Sequence, residues 1–158
     1  MITVRRAQYS DCKGISDLLY EHDSRSSWDY RNGGPLEYYT VVIALSDGVV
    51  VGLLEGTLDS TYTDNIAPEG YSMPQSFIHS MFVAPEHRSQ GTGAALLLAF
   101  AEQAAAAGLS FLALTADQND GQERRVKFFR DCGLLPLDPS DPLWAFGAPV
   151  ASLLGQSR

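Results

Sequence analysis

Apolar and polar positions fall into short alternating and helical blocks from the first residues onward. Residues 2–6 (ITVRR) read as a short strand. From Asp11 the spacing turns helical, with Ile15, Leu18 and Leu19 on one face and Asp11 placed as the N-cap. The pattern fades after Leu19, and residues 21–35 (EHDSRSSWDYRNGGP) are polar, aromatic and turn-rich, a loop or a short mobile helix. Residues 38–45 (YYTVVIAL) and 49–58 (VVVGLLEGTL) flank Asp47-Gly48, which predicts an antiparallel hairpin. The connection at 59–75 is longer than an ordinary loop. A strand at 76–83 (SFIHSMFV), a Gly-rich turn and an Ala/Leu helix at 94–108 closed by Gly108 come next. A strand at 110–115, a helix at 122–133 and a terminal strand pair (LLPL, LWAFG) complete the pattern.

The order β-α-ββ-β-α-β-α-β-β predicts a mixed α/β fold, with a parallel, right-handed crossover through residues 76–115. No repeat or break in composition divides the chain. Residues 1–150 are therefore expected to form one domain, and 151–158 a loose tail.

Composition narrows the classes of function. At 158 residues and 45% hydrophobic, the chain is long enough to bury a core. No apolar run approaches the ~20 residues of a membrane helix, and the first residues lack a secretory apolar stretch, so a cytoplasmic protein without membrane contact is expected. The net charge is −8 with no basic patch, which disfavours nucleic acid as a partner and suits a cationic one. Cys12 and Cys132 stand far apart outside any CxxC pair, so no metal site is expected.

The chemistry is concentrated in Val83-Ala84-Pro85-Glu86-His87-Arg88-Ser89-Gln90-Gly91-Thr92-Gly93. A strand ends at Pro85, and a loop with two glycines opens a long helix. Gly91 and Gly93 allow close backbone approach, and the first N–H groups of a helix lie at the positive end of its dipole without intrahelical acceptors. A phosphate or pyrophosphate is the natural guest. The alternative is a tight turn that the glycines merely shape. No Walker lysine and no GxGxxG accompany the loop.

The segment VAPEHRSQGTGAALL resembles the acetyl-CoA-binding motif of the GCN5-related N-acetyltransferases (GNAT), Val-x-Pro-x-x-Arg-x-x-Gly-x-Gly/Ala before a helix. The opening strand and helix, the Asp-Gly hairpin and the late FFRDCGL extend the resemblance over most of the chain. It implies a GNAT-like central sheet with helices on both faces and acetyl-CoA as cosubstrate. Carried over residue by residue, the amides of Ser89, Gln90, Gly91, Thr92, Gly93 and Ala94, with Arg88, would hold the pyrophosphate. Met81, Phe82 and Val83 would lie along the pantetheine arm, and an amide near Met81 would polarise the thioester carbonyl. Asn119 matches the family's Asn that faces the coenzyme. His79 shares a strand face with Phe77, Met81 and Val83 and stands where the family often carries an acid–base residue. The other reading of His79 is a half-buried histidine without a catalytic role. His22 is a candidate pocket wall, and His87 is read as solvated.

One departure stands out. The family's Tyr that protonates the leaving thiolate falls on Phe129, or on Val126 in a shifted register, and neither can donate a proton. Water, or Tyr62 or Tyr71 from the 59–75 loop, could replace it, or no acid at all, since a thiol of pKa about 8.5 is a tolerable leaving group without one. On the acceptor side, Glu21, Asp23, Trp28, Asp29, Tyr30, Glu37, Tyr38 and Tyr39 mix carboxylates with aromatics, as do Asp59, Tyr62, Asp64, Glu69 and Tyr71. That mixture suits a small cationic or aromatic amine; the other reading is a set of solvated loop charges. A protein Lys or N-terminus as acceptor, and a non-catalytic acyl-CoA-binding or sensing module, are the alternatives. Homodimers are common in the resembled family. The acyl chain length and the identity of the acceptor are not written in the sequence.

Overall fold

The computed structural model describes residues 1–22, 28–61, 70–71, 74–116 and 121–155. Its strands are β1 (Ile2–Arg6), β2 (Thr40–Ser46), β3 (Val49–Ser60), β4 (Gln75–Val83), β5 (Phe111–Thr115), β6 (Leu135–Pro136) and β7 (Ala145–Pro149). Its helices are α1 (Cys12–Glu21), α2 (Thr92–Ala106), α3 (Gln122–Asp131) and α4 (Val150–Gly155). The strands form one sheet in the order β1-β2-β3-β4-β5-β7-β6. The pairing is antiparallel except between β4 and β5, which run parallel as the crossover pattern requires. The mixed α/β order read from the sequence is present.

By contact density the chain divides into two compact units, Met1–Gly56 with Ser80–Phe100, and Thr57–His79 with Ala101–Arg158. In the first, β2 pairs with β1 and β3 and is buried along nearly its whole length. Asp47 and Gly48 at the hairpin tip have φ of 50° and 82°, the doubly left-handed turn that matches strand twist. Alternation sends Val41, Ile43 and Leu53 to the face that Cys12, Ile15 and Leu18 of α1 cover. On the opposite face, a Cβ placed on Gly52 would stand 3.3 Å from Leu96 of α2 and 3.4 Å from Val83. Helices thus cover both faces of this part of the sheet.

In the second unit, β7 pairs with β5 and β6, and Val126 and Phe129 bury the inner side of α3. The Phe129 ring lies 5.6 Å from that of Phe146.

Three expectations are corrected. Asp11 does not cap α1 with its side chain, because a 3-10 turn at Tyr9–Asp11 already places it in helical backbone. Its carboxylate instead accepts two bonds from the Arg5 guanidinium, both 2.8 Å, and one from the Gln8 N–H at 2.8 Å. The hydrogen bond from Arg5 holds the Asp11 carboxyl below its usual range. Tyr38 and Tyr39 precede β2, their N–H groups both bonded back to the Pro35 carbonyl. Residues 151–155 are helical rather than a loose tail, because Val150 and Leu153, one turn apart, are both buried.

Candidate active site

The chain leaves β4 at Val83, and the Ala84 N–H donates to Val51 O at 2.8 Å, fixing where the loop begins. Pro85 opens a 3-10 turn through His87. Arg88 then folds back, its Nε donating to Val83 O at 2.8 Å and its guanidinium 5.6 Å from the Phe82 ring centre. Ser89 and Gly91 both take positive φ, 63° and 82°. A Cβ on Gly91 would meet no atom within 4 Å, so open space lies on that side of the loop.

The Ala95 N–H bonds Gly91 O at 3.0 Å as α2 begins. The N–H groups of Thr92, Gly93 and Ala94 precede it and are the orphan donors of the first turn. Thr92 is 2% exposed, and its Oγ1 is buried without a hydrogen-bond partner among the described residues. Left-handed turns, orphan N–H groups, a helix dipole and an unsatisfied buried hydroxyl together fit a phosphate or pyrophosphate. Gly93 lies inside the first turn of α2 and takes no positive φ, so of the two glycines only Gly91 is needed for its conformation.

Met81 and Phe82 are half-buried and Val83 is buried. His79 is half-buried, its Nε2 2.7 Å from Thr57 Oγ1 and its ring 5.2 Å from that of Phe77. Burial lowers its pKa below the ordinary 6.5, so the imidazole is neutral at pH 7 and able to accept a proton. The same shift has a consequence for stability. As pH falls below 6.5, the unfolded chain takes up a proton at this position before the folded one does, and the fold loses stability until the folded-state pKa is passed. Urea denaturation at several pH values is expected to show a steeper acid loss for the wild type than for His79→Gln; equal slopes would place His79 in a solvated setting.

Sequence reasoning missed a second polar group. Glu55 on β3 is 4% exposed, yet it lies inside the apolar face that α1 covers. One carboxylate oxygen accepts from the phenol of Tyr30, itself 2% exposed, and the other accepts from Ser80 Oγ on β4 at 3.0 Å. Burial, then the charge and hydrogen bond of Glu55, push the Tyr30 phenol far above its ordinary pKa. The available signal was the single acid in the mostly apolar stretch 49–58.

The remaining predicted residues are placed as follows. Asn119 lies outside the described residues, as do Asp23, Tyr62, Asp64 and Glu69. Phe129 is buried against Phe146, its ring spent on packing, and Val126 is buried on the same helix. Trp28 stacks on Tyr38 at 6.2 Å and meets Tyr39 edge-on at 5.2 Å, an aromatic cluster beside α1. Tyr71 packs on Phe111 at 4.7 Å. His22 stands 5.8 Å from the Phe82 ring and 3.8 Å from the Glu86 carboxylate. His87, read as solvated, is half-buried at the end of the 3-10 turn Pro85–His87, with its Nδ1 enclosed.

Burial raises the Cys12 thiol pKa and pushes that of Cys132 to about 11, so both are protonated and poor nucleophiles at pH 7. No group of metal-ligating side chains is assembled among the described residues. Nor is any helix among them long and apolar enough to cross a membrane.

A sequence model described as the acetyltransferase (GNAT) family matches residues 5–134. No curated protein matches the chain by sequence. Among solved structures, a chain described as of the GNAT family from Desulfovibrio desulfuricans superposes with a TM-score of 0.67 at 15% identity, covering 95% of this chain and 99% of that one. The aminoglycoside N-acetyltransferase AAC(6')-Iy in complex with CoA superposes with a TM-score of 0.67 at 18% identity, over 86% of this chain and 93% of that one. The AtaT toxin, bound to the C-terminus of its antitoxin AtaR and acetyl-CoA, gives 0.65 at 18% identity, over 99% and 98%. At these identities the likeness is one of fold.

Proposed function

This chain belongs to the acetyltransferase (GNAT) family, and we propose that it transfers the acetyl group of acetyl-CoA to a small cationic or aromatic amine. The observation that carries this reading is the loop at Ser89–Gly91 running into α2, with Thr92 Oγ1 buried and unsatisfied inside it. Ser89, Gln90, Gly91, Thr92, Gly93 and Ala94 would give their amides to the pyrophosphate. Arg88, held on the Val83 carbonyl through Nε, keeps its terminal nitrogens for a phosphate oxygen. The main chain of Met81, Phe82 and Val83 would lie along the pantetheine arm, and the amide near Met81 would stabilise the developing oxyanion.

The amine nitrogen attacks the acetyl carbonyl carbon. The C–N bond forms, the C–S bond breaks, and the sulfur leaves with the bonding pair. His79, neutral at pH 7, takes the N–H proton released in the attack. The departing thiolate is protonated from water, since a thiol of ordinary pKa, about 8.5, leaves without a dedicated acid. Both protein thiols are free, in keeping with a reducing, cytoplasmic setting.

The aminoglycoside enzyme that shares the fold acts on a cationic amine, which supports the same acceptor class here. Calorimetry with acetyl-CoA, followed by thiol release over a panel of amines, tests the proposal. Binding together with turnover of cationic amines is the expected result, and turnover confined to acidic acceptors would overturn the acceptor class. The buried Phe129 supplies no acid, which favours a non-catalytic acyl-CoA sensor as the second reading. Tight binding without turnover of small amines, peptide lysines or peptide N-termini would decide for the sensor.

A further inference from the structure

Glu55 is the one carboxyl side chain among the buried residues described. A carboxylate removed from water costs several kcal/mol unless it is paired. Its two partners, Tyr30 and Ser80, are neutral hydroxyls, and among the described residues no cation lies within ion-pair range of it. Its surroundings are apolar: Val41 stands directly across β2 from it, and Leu53 and Tyr30 belong to the core on the same face. In such a setting a negative charge attracts a cation more strongly than it would in water.

The arrangement is also one-sided. Tyr30 is sealed in, whereas Ser80 is exposed, so among the described residues the only partner of Glu55 that reaches outward is the Ser80 hydroxyl. Ser80 immediately precedes Met81, and their shared peptide bond carries the amide assigned above to the oxyanion.

We propose that Ser80 and Glu55 form an acceptor-side proton path, with Ser80 touching a primary ammonium and Glu55 the positioning residue behind it. The proposal rests on the acetyltransferase reading and deepens it: the acceptor arrives as R–NH3+, and the protein itself deprotonates it. The ammonium N–H bond breaks as Ser80 Oγ takes that proton, and the Ser80 hydroxyl proton passes to Glu55 Oε1. The products are a neutral amine and a protonated Glu55, which returns its proton to water through Ser80 after acetyl transfer. Among the described residues, the other titratable groups on this face are Tyr30, Cys12 of α1 and Tyr39, with His79 next to Ser80 on β4; burial keeps Tyr30 and Cys12 protonated, and the facing β2 residues Val41 and Ile43 carry none.

The test uses the full chain with acetyl-CoA and five probes: spermidine, neamine, agmatine, tyramine and tryptamine. Turnover of the fastest probe is followed from pH 6 to pH 10 in wild type, Glu55→Gln and Ser80→Ala, with calorimetry of acetyl-CoA for each. At pH 7 both variants are expected to lose about 10²-fold in kcat/KM for the amine, with acetyl-CoA affinity within about twofold, a margin worth about 0.4 kcal/mol. The loss should then recover about tenfold per pH unit as the free amine accumulates, a readout that a merely structural role would not produce. Ser80→Ala leaves the buried core intact and keeps the test valid if Glu55→Gln folds poorly. A pH-independent loss in Ser80→Ala, or none, overturns the path. Wild type that binds acetyl-CoA but turns over no probe overturns the ammonium acceptor alone. Wild type that fails to bind acetyl-CoA overturns the acetyltransferase reading beneath it.

Discussion

Replacing Gly91 by Trp is expected to abolish calorimetric binding of acetyl-CoA while leaving the protein folded. Two features of the loop separate these effects. Gly91 has φ of 82°, so any L side chain there carries backbone strain, on the order of 1–2 kcal/mol. That cost falls on an exposed turn and is within what a domain of this size withstands. A side chain at this position would start into open space, with no atom of the described residues within 4 Å of its first carbon. The same space is where a pyrophosphate would approach the orphan amides of α2. An indole there should cost more than about 100-fold in affinity, roughly 2.7 kcal/mol or more. Gly91→Asn, which tolerates the left-handed conformation better, should lose distinctly less. A melting temperature near wild type for both variants confirms that the fold survives. Wild-type affinity in Gly91→Trp would move the coenzyme away from this loop.

What the sequence made legible were features carried by neighbouring residues. Asp47-Gly48 predicts its own turn because both positions need positive φ and both residue types accept it. The Ala/Leu run of α2 and the Gly-rich loop before it were readable for the same reason: helix propensity and dipole geometry are local. The GNAT resemblance rested on this segment, and the family match over residues 5–134 bears it out. Asp11 shows the limit of local reasoning. Its capping role failed because a single extra 3-10 turn changed its backbone state and handed its carboxylate to Arg5. In α4, residues 150–155 carry only two buried side chains, too few to register as periodic in sequence.

The Tyr30–Glu55–Ser80 group was illegible for a different reason. Both hydrogen-bond partners of Glu55 are 25 residues away, one on each side, and only the pairing of strands and the packing of the α1-to-β2 segment bring them together. Alternation does place Glu55 on the inward face with Leu53, so a buried acid could be read from the strand, but not what satisfies it. His79 is intermediate. Its strand face was predictable, whereas its contact with Thr57, which lies 22 residues earlier, needed the structure.

Gly147→Val should cost more stability than either Gly91→Trp or Gly155→Ala, because the second unit has no room for the added atoms. Gly147 lies within β7, opposite Ala113 of β5 and Leu135 of β6, with strands on both sides. A Cβ there would stand 2.7 Å from Phe111 Cε2 and 2.9 Å from the Leu112 carbonyl oxygen. The Phe111 ring is 2% exposed and packed on Tyr71, so it has little freedom to swing away, and the carbonyl belongs to the β5 backbone. Overpacking of this kind typically costs about 1–3 kcal/mol for a modest addition; the branched Val should lie at the top of that range or beyond. Gly147→Ala should fall lower in it. Gly155→Ala is the internal comparison: a Cβ there meets nothing within 4 Å and the backbone is not left-handed, so its effect should stay within about 0.5 kcal/mol. Urea denaturation midpoints at constant m-value measure all three. A Gly147→Val midpoint close to wild type would mean that β5 and β7 pack less closely than these distances require. A large loss would show that the absence of a side chain at Gly147, rather than its backbone freedom, is what this strand requires.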